Sequence, residues 1–358
     1  MNAILHIGLE KTGTTALQCY FDQNRALLLQ HGIAYATSPA LPDHTKLAAY
    51  ALRDDVFPDI RRRHRIHSPE TLESFRQLFE QDFAQEMASL KAKTVVFSNE
   101  HCSSRLISVQ EIQRLYDLLK PYFEHITVVI YLRRQDKFFL SSYSTSIKSG
   151  HSQPLTIPDT ETIKATPHWI QRYDYRELCQ RWGTVFGENN LLVRIYQRSQ
   201  LYQGDIVSDF LQGTSLPEVA KPKRLRINPS MQFPALEFLR RMNAYLPAFI
   251  DGAPNPLRAD IVSLLERNPD FNRTPLRADM RRFLDFFNES NAYVAKHYCN
   301  QSDGLLFDEE GFEDLPTKES ADLDVETAAA ISAFLWKEKQ QEIEKIKKVR
   351  MKIQRRRS

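Results

Sequence analysis

Cysteine is scarce in this chain of 358 residues, with four in all: Cys19, Cys102, Cys179 and Cys299. They lie far apart, without a CxxC pair or metal-ligand spacing. That argues against a disulfide framework or a metal ribbon, and for a reducing compartment. Glycine is sparse too, at 11 residues, and no long low-complexity segment or internal repeat is present. No apolar run approaches the roughly 20 residues that a membrane helix needs. Met1 leads almost directly into Ala3-Ile4-Leu5-His6-Ile7 with no basic region before it, so no secretory leader is expected. The expectation is a cytoplasmic protein. Net charge is also small: 48 basic against 45 acidic residues give +3, too weak a bias to imply a nucleic-acid partner.

What is present is enough apolar material for a core, with 42% hydrophobic and 11% aromatic residues. Short apolar runs read as strands at Ala3 to Gly8, Ile33 to Ala36, Thr94 to Phe97, Ile126 to Leu132 and Leu191 to Tyr196. Helical spacing follows most of them: from Thr14, from Ser68-Pro69 to about Leu90, from Val109 to Leu119, from about Asp136 to Lys148, and from Tyr175 to Phe186. Residues 40–67 read as irregular and basic, and 151–167 as a polar loop. Helices dominate after Gly204, near 204–212, 231–244, 256–267 and 277–297. Strand-helix alternation predicts a doubly wound parallel sheet over the first 200 residues, with a helical layer after it.

Two segments carry chemistry. The first is Gly8-Leu9-Glu10-Lys11-Thr12-Gly13-Thr14-Thr15, between a strand and a helix. A helix N-terminus has unpaired amides and the positive end of a dipole, so it holds phosphate. Gly13 allows close backbone approach, Thr12, Thr14 and Thr15 offer hydroxyls, and Lys11 adds a mobile charge. The triphosphate-binding pattern G-x-x-x-x-G-K-[ST] is not met, because threonine follows Gly13 and the lysine precedes it. The second segment runs from Tyr131 to Tyr143. Arg134 closes a strand, and Ser142 lies eight residues on in the next helix. Their donors suit a second phosphate. Arg133 with Ser141 is the slipped alternative.

Lys11, Gly13, Thr14 and Thr15 resemble the K-x-G-T-T loop of the PAPS-dependent sulfotransferases. Arg134, Ser142 and Tyr143 resemble the same family's 3′-phosphate site, although the proline usual near Gln135 or Asp136 is missing. The likeness extends over roughly residues 3 to 310, through Asp174-Tyr175, Trp182, Phe186-Gly187, Val193-Arg194, Arg198-Ser199-Gln200-Leu201, Asp209-Phe210-Leu211 and Arg226-Ile227-Asn228-Pro229-Ser230. It is to bacterial members related to the carbohydrate, heparan-sulfate-type branch. It implies a P-loop-like three-layer α/β fold, with a central parallel sheet flanked by helices and a helical C-terminal part. The domain it implies covers 1–310, with sheet core to about 200 and helical part from about 204, and leaves 311–358 as an extension.

The resemblance further implies that PAPS donates the sulfuryl group and leaves as PAP, with Lys11 stabilising the leaving 5′-phosphate. The acceptor is expected to be a carbohydrate hydroxyl, whether on an anionic polysaccharide, a lipid-linked saccharide or a small glycoside. Glu100 matches the family's glutamate base, and His101 either assists or replaces it. No metal is expected. Arg226 and Asn228, in a basic loop, are candidates for closing over the 3′-phosphate. His6, inside a strand, reads as a core histidine. The Arg61 to Arg65 cluster reads either as an acceptor groove or as an exposed loop. The polar helix from about Val325, ending in Arg355-Arg356-Arg357, is open to a peripheral membrane or partner contact. The alternative functions are a P-loop-type nucleotide kinase and a noncatalytic glycan-binding protein on the same fold.

Overall fold

The computed structural model describes residues 1–221, 231, 233–250, 253–266, 277–308 and 323–355. Arg226 and Asn228 lie outside the described residues.

In chain order the first elements are β1 (Asn2–Gly8), α1 (Thr14–Gln23), α2 (Arg25–Gln30), β2 (Ile33–Tyr35), α3 (Thr45–Ala51) and α4 (Asp59–Arg62). Next come α5 (Pro69–Ser89), β3 (Thr94–Ser98), α6 (His101–Arg105), α7 (Val109–Leu119), β4 (His125–Leu132) and α8 (Gln135–Lys148). They are followed by α9 (Thr160–Ala165), α10 (Pro167–Tyr173), α11 (Tyr175–Phe186), β5 (Leu191–Ile195) and α12 (Ile206–Gly213). The last are α13 (Phe233–Met242), β6 (Phe249–Ile250), β7 (Ala253–Pro254), α14 (Pro256–Glu266), α15 (Arg277–Phe286), α16 (Asn288–Tyr298) and α17 (Val325–Arg355).

The chain divides into two compact units. The first comprises 1–135, 159–225 and 284–308, and the second 136–158, 226–283 and 309–358. The first unit holds a five-stranded parallel sheet in the order β2-β3-β1-β4-β5. Both faces are covered. Leu17 and Phe21 of α1 and Val207 and Phe210 of α12 pack on Ile4, Val96 and Val129. Phe97 follows Val96 and so points to the other face. There it meets Phe83 of α5 and Phe123. The sheet is therefore apolar on both sides, as the continuous Val-Val-Phe and Val-Val-Ile runs require. Strand order reverses at β1, which lies between β3 and β4. In open α/β sheets, ligands bind beyond the carboxyl ends of the strands at such a reversal.

The second unit packs α8, α13, α14 and α17 around Ile147, Leu236, Leu239, Leu265 and Ile331. No helix among the described residues is long and apolar enough to cross a membrane.

Three expectations are corrected. Residues 40–67 are not merely irregular, because they contain α3 and α4. Residues 151–167 include α9, capped by the Asp159 side chain on the Thr162 amide at 2.8 Å, and the start of α10, with Pro167 in its first turn. The helix expected over 277–297 is two, divided at Phe287 between α15 and α16. The Arg61 to Arg65 cluster also splits. Arg61 is fully buried and donates to the carbonyls of Ala49, Leu52, Arg53 and Val56, while Arg62, Arg63 and Arg65 are exposed.

Candidate active site

The ends of β1, β3 and β4 meet at the reversal. β1 closes on Gly8, at φ 83°, and the chain turns through Leu9–Gly13 into α1. The Leu9 amide donates to the Tyr131 carbonyl at 2.9 Å, which ties the start of the turn to β4. Thr12 is buried, and its hydroxyl donates to the Leu9 carbonyl at 2.6 Å, closing the turn on itself. Lys11 adopts φ 65°. A side-chain-bearing residue in the left-handed region costs on the order of 1 kcal/mol, and such residues cluster at functional loops. The Arg133 guanidinium braces this residue by donating to the Lys11 carbonyl at 2.7 Å.

Gly13, at φ 77°, caps α1 without a side-chain hydrogen bond. The first bonds to its carbonyl come from the Ala16 and Leu17 amides, at 2.9 and 3.4 Å. The amides of Thr14 and Thr15 therefore stand outside the helical ladder. No acidic residue occupies the first turn. An uncapped helix start with two such amides has the chemistry of an anion site. Thr14 is buried and Thr15 is exposed.

Glu10 is the anion inside this loop. Its carboxylate accepts from Ser104 Oγ at 2.8 Å and from the Arg172 guanidinium at 3.0 Å, and stands 3.5 Å from His101 Nδ1. Burial alone would raise its pKa. His101, Arg172 and Ser104 outweigh burial and hold the carboxyl well below the usual carboxylate range. His101 opens α6 and is therefore turned toward the loop on its Nδ1 side.

Glu100 lies between the end of β3 and α6. A Cβ built on Gly8 would fall 2.9 Å from the Glu100 Cβ, so the two backbones are in direct contact. The Glu100 carboxylate accepts from Gln18 Nε2 of α1 at 2.8 Å. The turn that carries it is held from below. The Asn99 amide donates to the His6 carbonyl at 2.9 Å, and the Asn99 side chain donates to the Asp43 carbonyl at 2.6 Å. Past the end of β2, the Ser98 amide finds His44 Nδ1 at 3.1 Å, while His44 Nε2 donates to the Ala36 carbonyl at 2.8 Å. That pair fixes the His44 tautomer. Burial lowers the His44 pKa to about 4.

Lys11, Thr12, Gly13, Thr14, Thr15, Glu100 and His101 are thus brought together beyond the carboxyl ends of β1 and β3. Arg134 follows β4 in the same unit; it is buried and donates to the Asp308 carbonyl at 2.8 Å. Ser142 lies on α8 in the second unit, beside Tyr143, whose hydroxyl donates to Glu237 at 3.1 Å. His6 packs edge-on to Tyr131 and Phe210 with Nδ1 2.8 Å from Ser98 Oγ, and burial lowers its pKa to about 3. It is a neutral core residue. Among the described residues no cluster of three or more His, Cys, Asp or Glu side chains could hold a metal ion.

Sequence reasoning missed Glu10, Gln18 and Arg172. Gln18 had a signal, because it sits one helical turn after Thr14. Arg172 had none, because only the first residue of its helix, Pro167, fell within a segment that the sequence assigned, and the rest of the helix carried no assignment.

No family model matches the chain. It is 30% identical over 192 residues to an uncharacterized protein of Archaeoglobus fulgidus, an alignment covering 52% of this chain and 49% of that protein. The chain therefore spans about half the length of the curated relative it matches. The crystal structure of a sulfotransferase from Alicyclobacillus acidocaldarius aligns at 16% identity and a TM-score of 0.39, over 74% of this chain and 96% of that one. A likeness at that score carries no weight for the chemistry, which stands on the loop and strand ends above.

Proposed function

We propose that this protein is a sulfotransferase of the carbohydrate-directed kind, moving a sulfuryl group from PAPS to a sugar hydroxyl. The observation that carries the reading is the contact between Gly8 and Glu100, which sets a carboxylate residue against the anion-binding turn. The uncapped start of α1 and the turn containing Lys11 fit a terminal phosphate, and Arg134 fits a second one. Bound PAPS would supply the sulfuryl group and a PAP leaving group. Lys11 and the Thr14 and Thr15 amides offset charge developing on the leaving 5′-phosphate oxygen. Glu100 takes the proton of the acceptor hydroxyl as its oxygen bonds to sulfur. Gln18 orients that carboxylate, and His101, backed by Glu10, stands next in the chain as the second candidate base.

The test is calorimetric titration of PAP into the wild type, Lys11→Ala and Arg134→Ala without added metal. PAPS is then incubated with a panel of neutral and anionic glycans. Saturable PAP binding that Arg134→Ala weakens at least about tenfold, together with sulfation of one glycan class, is the expected result. Absence of PAP binding at high protein concentration overturns the reading. PAP binding without transfer to any glycan leaves a binding protein on this fold.

A further inference from the structure

The inner part of α17 belongs to the second unit's core. Ile331 is fully buried, Leu335 packs beside it, and Lys339 pairs with Asp260 of α14 at 2.7 Å. Beyond that ion pair the helix continues to Arg355, and every described side chain from Ile343 to Lys347 is exposed. Ile343 and Ile346 are 41% and 54% exposed, and Trp336 is 69% exposed. In sequence, Val349 and Ile353 continue the spacing of Ile343 and Ile346 by steps of three and four. That spacing is one face of a helix. Four lysines and four arginines, with no acidic residue, fall between 345 and 357.

We propose that the outer part of α17, from Ile343 onward, lies in the headgroup region of an anionic lipid surface. A basic helix with one apolar face binds in that position, its apolar side entering the acyl boundary and its cations meeting lipid phosphates. Exposed tryptophan favours the same interface. The two obvious competitors fit less well. A second copy of the helix would set a run of like charges against the same run. A hydrophilic polyanion would match the charge and leave the isoleucine row in water. The inference does not depend on the sulfuryl-transfer reading.

The experiment uses the full chain and phosphatidylcholine vesicles with and without phosphatidylglycerol, read by co-sedimentation. Partition is expected to be at least about tenfold stronger on the anionic vesicles and to fall with added salt. Ile343→Ser with Ile346→Ser should weaken it by more than about tenfold, and Lys345→Glu with Lys347→Glu likewise. All these side chains are exposed, so unfolding temperature and PAP affinity should stay at wild-type values. Equal binding to both vesicle types, or none, overturns the proposal. Anionic binding that survives the isoleucine changes overturns it in favour of a plain polyanion site. Self-association in sedimentation velocity that the isoleucine changes abolish overturns it in favour of a second copy.

Discussion

The Arg172 guanidinium donates to the Glu10 carboxylate at 3.0 Å, tying α10 to the turn between β1 and α1. Ser104 and His101 approach the same carboxylate from α6. One partly buried anion therefore joins three segments around the candidate phosphate site.

Glu10→Gln should lower stability at pH 7 by roughly 2 kcal/mol, the size of a lost charge-assisted bond. The folded pKa of Glu10 lies below its unfolded value. Its contribution is thus complete above the unfolded carboxylate range and is lost as pH falls toward the folded value. Urea unfolding at pH 7 and pH 4 should show a smaller pH dependence in Glu10→Gln. Equal dependence in both proteins would remove Glu10 from this role.

Gly8→Ala should be poorly tolerated. The position has φ 83°, and the new methyl would meet the Glu100 Cβ at 2.9 Å and Cα at 3.1 Å. A stability loss of about 1–3 kcal/mol and a parallel loss of PAP affinity are expected. A variant with wild-type stability and affinity would show that the contact does not set the turn.

Glu100→Gln should leave PAP affinity within about twofold and lower transfer by about 10²–10⁴. Gln18→Ala should lower it less, because it frees the carboxylate without removing it. If His101→Ala instead gives the large loss and Glu100→Gln the small one, the base is His101.

Arg61→Met should destabilise by about 3–5 kcal/mol, because a buried guanidinium that donates to four carbonyls, two of them in buried bonds, is removed at once. Arg61→Lys should not rescue it, since one ammonium cannot span the fork. Arg62→Ala and Arg63→Ala should fall within about 0.5 kcal/mol of wild type. Thermal unfolding of the four variants checks the contrast.

His6 and His44 should make the fold acid-sensitive well above the carboxylate range. Their folded values are about 3 and about 4, below the unfolded imidazole. As pH drops from about 6.5, the unfolded chain takes up protons that the folded chain refuses. At pH 5 each costs about 2 kcal/mol. The loss levels off once pH passes the folded values. His6→Asn should shrink the change in urea midpoint between pH 7 and pH 5, and an unchanged shift would contradict it.

The sheet was legible because its strands are buried on both faces and read as unbroken apolar runs. Ile126–Leu132 could hardly be anything else, and β4 runs from His125 to Leu132. Ser68-Pro69 and Val109–Leu119 likewise announced α5 and α7 through caps and apolar spacing. The short helices escaped notice because α3, α4, α9 and α10 have four to seven residues each, too few for a period to stand out. Asp159 and Pro167 were their available signals. The break at Phe287 had none, as no glycine or proline marks it. Lys11, Gly13 and Glu100 could be picked out because each follows a strand end. Glu10 could not, because its partners Ser104 and Arg172 are 94 and 162 residues away. Buried Arg61 looked like surface charge because composition cannot tell a solvated guanidinium from one that closes a helix end.

The end of α3 has a consequence for how the chain folds. The Leu52 carbonyl accepts from Arg61, Arg76 and Arg114, at sequence separations of 9, 24 and 62 residues. One acceptor thus closes three nested loops, whose entropic cost grows only slowly with length. The nine-residue closure by Arg61 needs only local chain, whereas the other two require α5 and α7 to have docked. Amide exchange in α3 should therefore track that in α5 and α7, and the three should open as one cooperative unit.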